Sequence, residues 1–226
     1  MFGFPRRSGT QDFRARHRLY NLVPPRQDLL SVWLRADLGC FQQADGTGVA
    51  AAGLPVRWVT DLSGNSRHCK SSGAGATLVD VDGLAIDNVS GTLPCDAPAF
   101  ALQDIFVVMR APTPTFAGYG VAFGSTSRSW FFESGQAQLH YNPYPTSASR
   151  NGVALSAPFP LAPMTEYFLL RITPYSPQTS YSWVLGGDGS YLTRVYIKEV
   201  LGYANGLTDA ERAIVTNILK LRHHIA

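Results

Sequence analysis

From residue 28 onward the chain is built of short apolar runs separated by Gly, Pro, Ser, Asn or Asp. In the first, "LLSVWLRAD", Ser31, Trp33 and Arg35 alternate with Val32 and Leu34, which puts the two sets on opposite sides of a strand. "LPVRWV", "ATLVDV", "LAIDNV", "DIFVVMRA", "YGVAFG", "SWFFES", "AQLHYN", "EYFLLRIT" and "TRVYIKEVLGY" repeat this texture, each rich in β-branched or aromatic residues. Strands this short, broken this often, predict an all-β fold of the antiparallel sandwich or jelly-roll kind. The period changes once. Thr208 followed by Glu211 predicts a capping box, and Ile214, Val215, Ile218, Leu219 and Leu221 recur at helical spacing. A helix over 208–222 is therefore expected to pack that face on the sheet. Lys220, Arg222, His223 and His224 close it where cations complement the helix dipole, and the two histidines read as a solvated end rather than as metal ligands.

Composition fits this picture: 226 residues, 45% hydrophobic and 15% charged, with 21 Gly and 15 Pro, suit a single turn-rich β domain. The net charge of +3 is unevenly spread. Residues 1–27 hold six arginines against Asp12, a local +5, which leaves the rest at −2. That contrast, with the "VPPR" boundary, predicts a basic N-terminal arm over 1–27 and a domain over 28–226. Arg6, Arg7, Arg14, Arg16 and Arg18 are its docking candidates, because guanidinium groups grip acidic surfaces through paired hydrogen bonds. The arginines interrupt any secretory apolar segment, and no 18-residue apolar stretch exists, so neither export by a signal peptide nor membrane insertion is expected. Cys40, Cys69 and Cys95, odd in number and widely spaced, read as reduced thiols rather than as a disulfide framework or metal set.

Four stretches together carry a family resemblance: "VWLRAD", "RWVTDLSGN", "DIFVVMRA" and "YIKEVLGYANGLTDAERAIVTNIL". In this order they resemble the concanavalin A-like, laminin-G-like jelly-roll family in its bacterial and phage form, over about residues 29–222. Glu199, Tyr203, Leu207, Thr208 and Glu211 match the Glu-bearing strand and capped closing helix. Trp58 and Asp61 have two residues between them where the family has one, which predicts a bulge or a rotated Trp at that corner. The resemblance implies an Asx-type turn at Asp61, with Gly64 or Asn65 left-handed, and a mainly structural role for "DLSGN".

Catalytic signatures are sparse: there is no G-x-S-x-G, H-E-x-x-H, P-loop or C-x-x-C. The four glutamates, Glu133, Glu166, Glu199 and Glu211, lack the close second acid that glycoside hydrolysis requires, except Glu211 with Asp209 in the helix cap. A non-enzyme is expected. Members of the resembling fold often hold Ca²⁺ with Asp, Asn and carbonyl oxygens, and Asp45, Asp61 and Asn65 are the candidate ligands here, with Asp80, Asp82 and Asp87 a second set. Trp130, Tyr141, Tyr144 and Trp183 are candidate glycan-stacking rings, as is Tyr181. The expected function is a virion component of a bacteriophage, adhesive or structural and homo-oligomeric, attached to other virion proteins by its arm and facing cell-surface or polysaccharide glycans. A stand-alone glycan-binding module is the alternative and a glycoside hydrolase the third reading.

Overall fold

A computed structural model describes residues 22–226 apart from 72, 81–82, 89–91, 96–98, 117–122, 126–130, 133–134, 141–144, 175–177, 181–182 and 187–193. The described residues are mostly β-strands in antiparallel sheets, with one helix near the C-terminus. Nine strands make the main sheet: β1 (Leu30–Arg35), β2 (Pro55–Val56), β3 (Ala76–Asp80), β4 (Leu84–Asp87), β5 (Asp104–Arg110), β6 (Ser147–Arg150), β7 (Val153–Leu155), β8 (Phe168–Thr173) and β9 (Tyr196–Tyr203). Their order is β7-β6-β8-β5-β9-β4-β3-β2. One edge of β9 is shared along its length: Tyr196 and Ile197 pair with β4, while Glu199 to Tyr203 pair with β1.

This sheet is buried on both faces, and β5 shows how. Ile105, Val107 and Met109 point into a large core, while Phe106 and Val108 point into a smaller one on the other side. Strand β8 divides likewise, with Phe168, Leu170 and Ile172 opposite Leu169. Two-sided burial explains why "DIFVVMR" reads as a continuous apolar run rather than an alternation. The large core is completed by short strands, including Cys40–Phe41 with Trp58–Val59 and Cys69–Lys70, and Phe123–Ser125 with Trp183–Leu185 and Leu93–Pro94.

The smaller core is closed by helix α1 (Asp209–His223). Its capping box forms as the sequence predicts: Thr208 Oγ1 accepts from the Glu211 N–H at 3.3 Å, and Glu211 Oε2 accepts from the Thr208 N–H at 2.8 Å. Its buried face is rotated from the expected one. Val215, Thr216, Leu219 and Arg222 are inward, Ile218 is half-buried, and Ile214 and Leu221 are exposed at 50% and 55%. Apolarity alone misplaced the face, because an inward arginine with a buried partner counts as polar in the sequence.

That partner is Glu199 on β9, fully buried. Its Oε1 accepts from Trp33 Nε1 at 2.7 Å and from Arg222 Nη1, and its Oε2 lies 2.6 Å from His223 Nε2. Burial pushes the carboxyl up, but the His223 and Arg222 contacts outweigh it and hold the group below its ordinary range. His223 is thus a packed partner of Glu199, not a solvated terminal residue; only His224 is exposed. Arg222 also donates to the Leu22 carbonyl, Tyr203 donates to the Pro25 carbonyl at 3.2 Å, and Arg26 pairs with Glu211 at 2.7 Å. Residues 22–26, assigned to the arm by charge, therefore touch the body.

The cysteine expectation is corrected as well. Cys69 and Cys95 form a disulfide across 26 residues, because their short strands end side by side as an antiparallel bridge. Linear spacing carries no trace of that neighbourhood. Cys40 is free and buried, its thiol pushed up to about 12 by burial and the nearby Asp37 charge.

Candidate functional site

The "DLSGN" corner resolves into a brace for the edge strand β1. Asp61 Oδ1 accepts from the Ser63 N–H at 3.0 Å, closing the Asx turn, and from the Trp33 N–H at 2.9 Å. Its Oδ2 accepts from Ser63 Oγ at 2.8 Å and the Arg67 N–H at 3.0 Å. Asn65 Nδ2 donates to the Leu30 carbonyl at 2.7 Å, and Arg67 Nη1 to the Ser31 carbonyl at 2.8 Å. Gly64 is left-handed with φ +86°, and so is Ser66, rather than Asn65. The loop thus satisfies backbone groups that an open sheet edge would expose. Trp58 sits in regular register opposite Lys70, without a bulge, and stacks on His68 at 4.7 Å.

This geometry bears on the proposed ligands. Four donors occupy the Asp61 carboxylate, and the Asn65 amide is turned to backbone carbonyls. Asp45 is spent locally on the Thr47 N–H and hydroxyl. Among the described residues no group of three or more His, Cys, Asp or Glu converges on a point. Trp183 is buried at 1%, stacked between Phe100 and Phe123 with its Nε1 donating to the Phe100 carbonyl. It has no open face for a sugar and is a core residue. Trp130, Tyr141, Tyr144, Tyr181, Glu133 and Asp82, with Arg6, Arg7, Arg14, Arg16 and Arg18, lie outside the described residues. Asp80 accepts from the Gly83 N–H at 3.2 Å, and Asp87 is buried against Arg194 at 2.6 Å.

The sequence did not point to the feature that does qualify as a site. A polar cleft of about 440 Å³ lies between α1 and the β6–β8 part of the sheet, lined by Ser149, Asn151, Arg171, Arg212, Asn217 and Lys220, among others. Its helical wall is regular: Arg212, Thr216 and Lys220 lie four residues apart and share a face. The opposite wall combines paired strand positions with a turn. Ser149 and Arg171 are cross-strand partners on β6 and β8. Asn151 and Gly152, both with positive φ (53° and 89°), turn β6 into β7, the backbone of a two-residue Asn-Gly hairpin. Asn151 Oδ1 accepts from the Leu169 N–H at 2.9 Å, and the Asn151 carbonyl takes a long contact from Lys220 Nζ at 3.4 Å. A Cβ on Gly152 would stand 3.2 Å from the Thr216 methyl, so the turn and helix meet closely here.

The charges in the cleft are unequal. Arg212 is neutralised: its Nε donates to Asp104 at 3.1 Å and its Nη1 to Asp209 at 2.9 Å. Asp104 is itself fully buried and also accepts from Thr173 Oγ1 and the Leu207 N–H. Arg171 is half-buried, yet its bonds run to two hydroxyls, Ser149 Oγ and Thr173 Oγ1, each at 3.2 Å. Burial pushes its guanidinium down from the ordinary range, and the Asp104 charge only partly opposes that. Two signals in the sequence mark this wall: the charged residue inside the apolar "FLLRIT", and the "NG" pair after "SASR". The second lies in "YNPYPTSASRNG" (141–152), whose Pro and Ser content predicts an exposed loop, whereas Ser147–Arg150 is a strand of the main sheet.

No family model and no curated protein matches this chain. Among solved structures, the chain is similar to the binding domain of Paraclostridial Mosquitocidal Protein 1, at 11% identity and a TM-score of 0.41, covering 85% of this chain. It spans about half (52%) of the length of that structure.

Proposed function

We propose that this protein is a non-catalytic recognition and assembly module: a laminin-G-like jelly-roll domain that serves as a structural or adhesive component of a bacteriophage particle. The observation that carries the non-catalytic reading is the fate of its buried carboxylates. Asp61, Asp87, Asp104 and Glu199 are each committed to backbone N–H groups, arginines, hydroxyls or indole N–H groups of the frame. A glycosidase keeps two carboxyl groups facing one bond, about 5–9.5 Å apart. The described cleft offers cations, amides and hydroxyls, and its one lining carboxylate, Asp209, is paired with Arg212 at 2.9 Å.

The particle assignment is supported by the ordered resemblance of residues 29–222 and by the basic N-terminal segment, whose arginines suit an acidic partner surface. The Cys69–Cys95 disulfide suits a protein that works outside a reducing cytoplasm, as a released particle does. Mass spectrometry of density-banded particles from a producing lysate tests the reading. Stoichiometric copies of the chain are expected; its absence from banded particles would overturn it. The cleft favours a second reading, a stand-alone glycan-binding module, which predicts ligand binding by the free protein and no particle association.

A further inference from the structure

We propose that the cleft between α1 and the β6–β8 sheet is a binding site for the carboxylate of an acidic saccharide, with Arg171 and Lys220 as the anion contacts. The inference deepens the non-catalytic reading above and rests on it. Three independent features converge.

The first is an unmatched charge. A half-buried guanidinium is costly unless an anion faces it. The one carboxylate buried close by, Asp104, is already taken by Arg212, Thr173 and the Leu207 N–H. Arg171 reaches it only through the Thr173 hydroxyl; the positive charge of Arg212 adds to the imbalance, and Asp209, the other nearby carboxylate, opposes it least and is itself paired with Arg212. Its Nε and Nη1 are held by hydroxyls, which fixes the plane of the group. Among the described residues its Nη2 makes no bond. A planar cation fixed in this way suits the two oxygens of a carboxylate.

The second is the surrounding chemistry. Lys220 adds a charge whose one contact among the described residues is a long one, to the Asn151 carbonyl. Asn217 on the helix is exposed, and among the described residues the Asn151 amide Nδ2 carries no hydrogen bond, its Oδ1 alone being used to position it. Amide donors and acceptors beside cations are what a hydroxyl-bearing anion requires, whereas a bare inorganic ion has no use for them.

The third is rigidity and size. The walls are a capped helix and a tight hairpin in direct contact, not loops, so little ordering entropy is lost on binding. The volume of about 440 Å³ lies within the small-molecule range of roughly 300–1,000 Å³ and admits one or two sugar rings.

Titration of the full chain by isothermal calorimetry and amide-resolved NMR, with trigalacturonate, N-acetylneuraminate, neutral galactotriose and inorganic phosphate as probes, tests the assignment. Saturable binding of an acidic sugar is expected, weakened about tenfold or more by Arg171→Gln, as for loss of a charge-assisted hydrogen bond. Lys220→Ala, a change at a residue outside the buried frame, is expected to weaken it severalfold and keep the protein folded if Arg171→Gln does not. Added salt should weaken binding. The proposal is overturned if neither acidic sugar binds, if galactotriose binds equally, if phosphate competes at equal concentration, or if Lys220→Ala and a folded Arg171→Gln leave binding unchanged. Cleavage of the trisaccharide would instead overturn the non-catalytic reading.

Discussion

The two faces of the main sheet are held by different physics. On one, Val32, Leu34, Val107, Phe168, Leu170, Trp183 and their neighbours form an apolar core whose strength lies in area removed from water. On the other, the smaller cluster around Phe106, Leu201, Val215 and Leu219 is accompanied by two buried ionic assemblies, Glu199 with Arg222 and His223, and Asp104 with Arg212. The stability of the first face is expected to vary little with pH and salt, and that of the second to depend on both. A buried ion pair adds little net stability over an apolar one of equal shape, yet removing one partner strands the other. The helix face is thus the specific, sensitive face, and it carries both the cleft and the contacts to residues 22–26.

The largest expected effects separate the two faces by their pH dependence. Arg222→Ala should destabilise by about 3–5 kcal/mol at neutral pH, because it leaves Glu199 charged and unpaired. Leu34→Ala in the apolar core should cost ~2–5 kcal/mol. Chemical denaturation across pH distinguishes them. The Glu199 carboxyl is held below its ordinary value, so its stabilising contribution is complete above the unfolded value of about 4.3 and disappears as pH falls through the folded one. The Arg222→Ala penalty should therefore shrink in acid while the Leu34→Ala penalty stays flat. Equal pH profiles would abolish the distinction.

A cut within the N-terminal segment gives the next effect. A chain beginning at Leu22 should melt with the full protein. One beginning at Asp28 should melt lower, since it loses the Leu22 carbonyl from Arg222, a bond to a charged group of about 1.5–3 kcal/mol, together with the Pro25 and Arg26 contacts. Identical melting of both chains would show that residues 22–26 rest on the body without supporting it.

Smaller still is the helix cap. Thr208→Ala should cost ~1 kcal/mol, read by urea midpoint, and Thr208→Ser much less. The smallest effect is the sharpest check on the helix face: Ile214→Asp should stay within about 0.5 kcal/mol of wild type, as for a surface substitution. A loss of several kcal/mol would restore the face expected from apolarity alone.

How far the sequence reached differs with the range of the interaction. The longer strands, the capping box and the Asp61 turn are local, decided within a few residues by apolar β-rich runs, a hydroxyl three positions before a carboxylate, and an Asx turn, and each is readable before folding, whereas Ser147–Arg150 is not. The candidate site was not readable, because Ser149, Arg171 and Lys220 gain meaning only when β6, β8 and α1 meet. A charge in "FLLRIT" signals that something polar faces that strand, but not what.

The amino-acid sequence by itself determined a mostly β chain with a capped C-terminal helix, the longer strands of the main sheet, and the concentration of arginine before residue 28. Only the tertiary structure decided which face of that helix is buried, that His223 and Arg222 serve Glu199, that Cys69 meets Cys95, and that Arg171 bonds to the hydroxyls of Ser149 and Thr173. The reason is physical. Propensity and capping depend on neighbours along the chain, whereas desolvation, ion pairing and disulfide bonding depend on neighbours in space, which a linear pattern of polar and apolar residues does not encode.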